Sequence, residues 1–89
     1  MQEIHIFVTG KVQGVGFRAS VLRHAHLHDI KGFVRNLPDG RVEICAQGKG
    51  DQINAFIHTV KLRPGLGQVD EIETKLHPVR ESYPSFEIH

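Results

Sequence analysis

Three glycines, Gly10, Gly14 and Gly16, fall within the nine-residue segment GKVQGVGFR (10–18), which closes on Arg18, the first arginine of the chain. A glycine-rich turn that feeds a helix start leaves backbone N–H groups unpaired and lets them converge on an anion. Glycine reaches the positive-φ conformations such a turn uses and permits close approach of a ligand. Arg18, in the first helical turn, adds a fork of donors that matches two oxygens of a phosphoryl group. The chemistry implied is the gripping of a small anion. The segment is no Walker A loop, for it lacks GK[ST], and Gly10-x-x-x-Gly14-x-Gly16 is not the dinucleotide fingerprint. Taken alone, a glycine cluster between a strand and a helix reads equally well as a plain turn.

The flanking elements decide where this loop sits. Ile4, Ile6 and Val8 alternate with Glu3, His5, Phe7 and Thr9, the period of a strand with one buried face. From Phe17 to His28 the chain lacks Gly and Pro, and Phe17, Val21 and Ala25, with Leu22, form the inward stripe of a helix. Phe33–Leu37 and Arg41–Gln47 read as strands joined through the hairpin signal Pro38-Asp39-Gly40. In the second of them Val42, Ile44 and Ala46 point to the core, opposite Arg41, Glu43, Cys45 and Gln47. Asp51 is a suitable N-cap for a second helix carrying Ile53, Phe56, Ile57 and Val60. Val69–Leu76 gives a fourth strand, and Phe86–Ile88 a short edge strand.

This order predicts an α+β fold of the ferredoxin-like, split βαβ type (βαββαβ), with an antiparallel sheet, two helices on one face and the other face more exposed. In that topology strand 1 ends, helix 1 begins and strand 2 ends at the same edge. The glycine loop, Arg18 and Asn36 are therefore expected together, although 18 positions separate the last two.

Composition narrows the function classes. Eighty-nine residues fit one small domain spanning 1–89. Eleven basic against ten acidic residues give a net charge of +1, which argues against broad capture of nucleic acid or membrane and for a local anion site. No apolar run approaches a membrane span, the N-terminus lacks a signal pattern, and a single cysteine allows no internal disulfide, so a cytoplasmic chain is expected. Cys45 lies mid-strand without the Cys-x5-Arg loop of a phosphate-accepting thiol, and reads as a small side chain on the open sheet face. His24, His26 and His28 lack an accompanying carboxylate motif and read as a solvated helix face, so no metal is expected. Phe7, Phe33 and Arg35 do not make the aromatic pattern of an RNA-binding sheet.

GKVQGVGFR (10–18), followed by KGFVRNLPDGRVEICAQG (31–48), resembles the acylphosphatase signature, and the resemblance covers essentially the whole chain. It implies the same ferredoxin-like fold and the hydrolysis of a carboxylic–phosphoric mixed anhydride. By the resemblance the phosphate-binding arginine falls on Arg18, the water-positioning asparagine on Asn36, and the cradle on Gly10 to Gly16, with the amides of Val12, Gln13, Gly14, Val15 and Gly16 as main donors. It implies a small-molecule acyl phosphate substrate, no cofactor, no nucleic-acid or membrane partner, and a monomer. The alternative is a non-catalytic phosphate-binding accessory module of the kind found in larger carbamoyl-transferring maturation proteins. Both catalytic positions are filled and the sequence ends at His89, which favours the free enzyme. Two departures concern stability. His28-Asp29-Ile30 replaces a Leu-Gly-Leu run, which puts Asp29 in a left-handed position, and RPGLGQV (63–69) alters the approach to strand 4.

Overall fold

In the computed structural model, which describes every residue from Met1 to His89, the elements follow the expected order. They are β1 (Gln2–Lys11), α1 (Phe17–Leu27), β2 (Lys31–Asn36), β3 (Val42–Gly48), α2 (Gly50–Leu62), β4 (Gln68–His77) and β5 (Phe86–Ile88). The strands lie in the order β4-β1-β3-β2-β5. The core forms between the sheet and the helices: Ile6, Val8, Val34, Val42, Ile44 and Ala46 from the strands meet Phe17, Val21 and Ala25 of α1 and Ile53, Phe56 and Val60 of α2. The period-2 and period-4 stripes of the sequence thus point at one another.

The sheet is mixed, which corrects the expectation of a purely antiparallel one. β5 pairs with β2 in parallel, Gly32 facing Phe86 and Val34 facing Ile88. The reason is the route of the chain. β4 ends at one edge of the sheet and β5 lies at the other, so residues 78–85 must cross about four strand spacings, roughly 19 Å. They start beside Glu3, the partner of His77, and finish beside Gly32, at the same end of the sheet. A strand entered from that end has to run in the direction of β2.

The second face is the more exposed one, as expected, except over β3, where this crossing covers it. Gln47 donates through Nε2 to Glu81 O at 2.6 Å, and its Oε1 accepts from the Tyr83 N–H at 3.0 Å. Tyr83 packs edge-on against Phe33, with ring centroids 5.8 Å apart. Under this strap β3 is buried on both faces, and Cys45 is fully buried rather than on an open surface.

Helix α2 starts earlier than Asp51 suggests. Lys49 is the N-cap, its N–H bonded to Gln52 Oε1 at 3.1 Å, and Asp51 sits in the first turn, where its charge suits the helix dipole. At the end of α1, the N–H of Ile30 reaches Ala25 O at 2.9 Å and that of Asp29 reaches His26 O at 3.4 Å, a Schellman closure. It holds Asp29 at φ 56°, the one non-glycine residue with positive φ. Asp29→Gly removes a Cβ penalty from a geometry that the closure fixes anyway. It is expected to stabilise the fold by about 1 kcal/mol, read as a higher urea midpoint. A lower midpoint would mean that the Asp29 side chain contributes more than its backbone strain costs.

The helix histidines are not a solvated row. His24 Nε2 lies 2.9 Å from Arg63 O at the end of α2, and His28 Nε2 lies 3.1 Å from Thr59 Oγ1. Both tie α1 to α2, and of the three only His26 is exposed. The altered RPGLGQV connection is accommodated here: Ser20 Oγ also donates to Arg63 O, and Gly67 N closes a turn on Pro64 O at 3.1 Å.

Candidate active site

The loop between β1 and α1 has the donors that the sequence suggests. Gly14 and Gly16 stand at φ 73° and 79°, and Gly16 is the left-handed N-cap of α1, with no side chain capping the helix. No N–H from Val12 through Ala19 donates to an acceptor within the chain; the first that does is that of Ser20, to Gly16 O at 3.1 Å. An unbroken run of free amides at a helix N-terminus carries partial positive charge and attracts an anion.

Val12, Gly14, Gly16, Phe17, Arg18 and Ala19 from this run line a cavity of about 170 Å³ together with Ile88, whereas Gln13, Val15 and Asn36 are not in its lining. It suits a phosphoryl headgroup, being smaller than the roughly 300–1,000 Å³ of pockets that enclose whole organic ligands. Arg18 lines it, and no Asp or Glu side chain lies within ion-pair distance of its guanidinium. Its one contact to the chain is a long hydrogen bond of 3.5 Å from Nη1 to His89 O. His89 is placed by its own N–H to Val34 O at 2.9 Å and by stacking on Phe33, with centroids 4.7 Å apart.

Asn36 ends β2 at the same edge of the sheet. The register aligns Val8, Val42 and Asn36 across β1, β3 and β2, close to the end of β1 at Lys11 where the loop begins. Asn36 has the parity of buried Val34, so its side chain faces the helix layer from which Arg18 projects. Its Oδ1 is buried and without a hydrogen-bond partner. Leaving such an acceptor unpaired costs about 1–3 kcal/mol, so its persistence calls for a reason outside the fold.

The remaining loop residues divide. Gly10 lies inside β1 at a register shift, where a Cβ would stand 2.1 Å from Gln68 O, so close approach of β4 explains this glycine. It is not among the residues lining the cavity. Gln13 shows a role that sequence reasoning missed. Its side-chain amide donates to Leu37 O and to Arg41 O, each at 2.8 Å, and so pins the loop to the β2–β3 hairpin one residue from Asn36. No local motif marks such a clamp, because its acceptors are backbone carbonyls 24 and 28 positions away. Gln13→Ala is expected to lower stability by about 1–2 kcal/mol and to raise the inhibition constant of inorganic phosphate, as the loop loses its anchor. An unchanged inhibition constant would show that the glycines hold the cradle unaided.

Cys45 is no nucleophile. Burial pushes its thiol up to about 12, and the charge and hydrogen bond of Glu3 and the charges of Glu43 and Glu81 add to this, so it stays protonated at neutral pH.

With this geometry in view, the comparisons are specific. The profile of the family described as Acylphosphatase matches residues 4–88. The chain belongs to the acylphosphatase family. A relative named acylphosphatase from Archaeoglobus fulgidus is 46% identical over 88 residues, covering 99% of this chain and 98% of the relative. The crystal structure of acylphosphatase from Bacillus subtilis superposes with a TM-score of 0.94 at 36% identity, covering 100% of this chain and 99% of that one. HypF from T. kodakarensis also contains this fold, with a TM-score of 0.90 at 39% identity, but all of the present chain corresponds to only 12% of it. The chain is thus an acylphosphatase-family enzyme with a ferredoxin-like α+β fold, and no helix in it is long and apolar enough to cross a membrane.

Proposed function

We propose that this acylphosphatase hydrolyses the carboxyl–phosphate anhydride of small acyl phosphates, using loop amides and Arg18 to hold the phosphoryl group and Asn36 to orient the water. The observation that carries this reading is the coincidence of free N–H groups and a guanidinium without an Asp or Glu partner around one small cavity. The unpaired carboxamide oxygen of Asn36 stands at the same sheet edge.

The reaction asks little of the protein. The leaving carboxylate has a conjugate acid of pKa ~4, so no side chain has to protonate it. Water attacks phosphorus, the new P–O bond forms as the P–O bond to the acyl group breaks, and negative charge gathers on the equatorial phosphoryl oxygens. The amides of Val12 to Gly16 and the Arg18 fork stabilise that charge without reorganising. Asn36 Oδ1 accepts a hydrogen bond from the attacking water. A carboxamide cannot take its proton, which passes to a phosphoryl oxygen of the substrate, and the products are carboxylate and inorganic phosphate.

The test is phosphate release from benzoyl phosphate in the presence of EDTA. Turnover well above the uncatalysed rate is expected, and an equal rate with and without enzyme would overturn the reading. In that case the likeness to part of HypF would favour a phosphate-binding module instead. The cradle grips phosphate more than acyl group, so acetyl, carbamoyl and glyceroyl phosphates are expected to differ less in KM than in a site that encloses the acyl chain.

A further inference from the structure

We infer that Glu3, His5 and Cys45 form a binding site for one divalent transition-metal ion of the zinc class, with solvent completing the coordination, on the sheet face opposite the helices and at the end of the sheet away from the cradle. Ligand atoms of Glu3, His5 and Cys45 already lie within 4.8 Å of one another. Around a tetrahedral zinc ion with bonds of 2.0–2.3 Å, ligand atoms stand about 3.3–3.8 Å apart, so the widest pair closes by about 1–1.5 Å and the His5–Glu3 pair opens by roughly 0.6 Å. His77 stands outside this group: its ring, at 18° to that of His5, cannot share an in-plane ion with it, and its Nδ1, 3.2 Å from Glu3 Oε2 and 3.1 Å from Pro78 O, positions the carboxylate instead. His5 Nε2 reaches the same Glu3 oxygen at 2.7 Å, and the two imidazole rings stack with centroids 4.4 Å apart.

The strand register builds this cluster. His5 stands directly opposite Cys45 on β3, and Glu3 directly opposite His77 on β4, so two neighbouring strands supply the three donors and a third supplies the partner of Glu3. Donors on strands hold their geometry better than donors on loops. A second layer of partners is also present. Fully buried Gln47 donates from Nε2 to the other carboxylate oxygen, Glu3 Oε1, at 2.7 Å. Glu43 Oε2 lies 3.6 Å from His5 Nδ1, which leaves His5 Nε2 as the inward nitrogen. A ring nitrogen facing a carboxylate while the other faces the ion is the arrangement that orients histidine ligands.

Charge and donor type agree on the ion. The negative charges of Glu3, Glu43 and Glu81 act on the Cys45 thiol, and Arg35 is paired with Glu43 at 2.6 Å. A sulfur, an imidazole and a carboxylate suit zinc and its neighbours rather than calcium or magnesium, which take oxygen ligands. A route exists as well: a cavity of about 450 Å³, lined by Met1, Gln2, Glu3, Leu76, His77, Pro78 and Val79, opens beside Glu3 and His77. Binding releases the thiol proton, and the ion then bridges β1 and β3 next to the 78–85 strap. The sequence expectation of no metal weighed the helix histidines and not this group, whose members look like ordinary alternating strand residues until the register is known.

The test titrates the metal-free full chain with Zn2+ by calorimetry and with Co2+ by absorption spectroscopy. Expected are one equivalent bound, a thiolate-to-cobalt charge-transfer band, a higher Tm with Zn2+, and phosphate release unchanged by metal or chelator. Cys45→Ser is expected to abolish the band, and His77→Ala, a change at a half-exposed side chain, to weaken Zn2+ binding at least about 10-fold. If Cys45→Ser does not fold, His77→Ala and the cobalt band of the unmodified chain decide the matter. No binding, binding without the charge-transfer band, or equal affinity in His77→Ala would overturn the proposal. The last result would assign the ion to other histidines, such as those of α1.

Discussion

Arg18→Ala is expected to lower kcat/KM for benzoyl phosphate by about 10³-fold and to leave the fold intact. Removing one preorganised donor from a developing oxyanion costs about 10²–10³ in rate, and a positioned arginine at a transferring phosphoryl group is worth 10³ or more. The loss is large here because the guanidinium is the only full positive charge lining the cavity; the loop amides contribute partial charges alone. Stability hardly enters, since the exposed side chain makes one long hydrogen bond, 3.5 Å to His89 O, and no pair with an Asp or Glu side chain. The thermal midpoint should stay within the range of ordinary surface substitutions, about ±0.5 kcal/mol. Arg18→Lys should recover only part of the activity, because an ammonium keeps the charge and loses the two-pronged geometry. Steady-state kinetics with melting curves checks all three statements. A variant that loses activity in proportion to lost folding would assign Arg18 a structural role.

Asn36→Ala carries the second large effect, with the opposite relation to stability. Loss of the group that orients water is expected to lower kcat by about 10²-fold, the size of effect that misplacing a reactant produces, with KM changed little. The same substitution deletes a buried acceptor that has no partner in the fold, so the urea midpoint should hold or rise. A catalytic loss accompanied by no loss of stability is hard to obtain from a hairpin-starting residue, and it separates the two roles. Asn36→Asp sharpens the distinction. Were a general base required, the carboxylate would supply one and raise turnover. With the phosphoryl group acting as proton acceptor, a negative charge at residue 36 faces the dianion, and Asn36→Asp is expected to be poorer than Asn36→Ala, mainly through KM.

What could be read from the sequence follows from the range of the interactions concerned. The helix stripe Phe17, Val21, Ala25 and the strand alternation Ile4, Ile6, Val8 are local periodicities, and each finds its place in the core or against it. The strained position at Asp29 was legible too, because a Schellman closure is encoded within six residues. Topology alone carries Asn36 to the edge where α1 begins, since each element has to reverse the direction of the one before.

Apart from the N-cap of α2, which is Lys49 instead of Asp51, the misses are non-local. The strap over β3 was invisible because the segment 78–85 has no periodicity of its own; what fixes it is the distance between β4 and β5 and the two ends of the Gln47 amide. The parallel pairing of β5 follows from that crossing and from nothing in Phe86–Ile88 itself. The Gln13 clamp, and the bonds from His24 and His28 to α2, join side chains to groups far along the chain. Polar side chains read from sequence default to solvent, and only the packed fold reveals which of them have found an acceptor.

Titrating the enzyme with inorganic phosphate while following its backbone amides and the Arg18 Nε–H by 15N–1H NMR tests the phosphoryl grip most directly. The expected result is saturable shifts confined to Val12 through Ala19 and Arg18, with small ones at Asn36, all lost in Arg18→Ala. Saturable shifts centred on another surface, or identical shifts in Arg18→Ala, would contradict it.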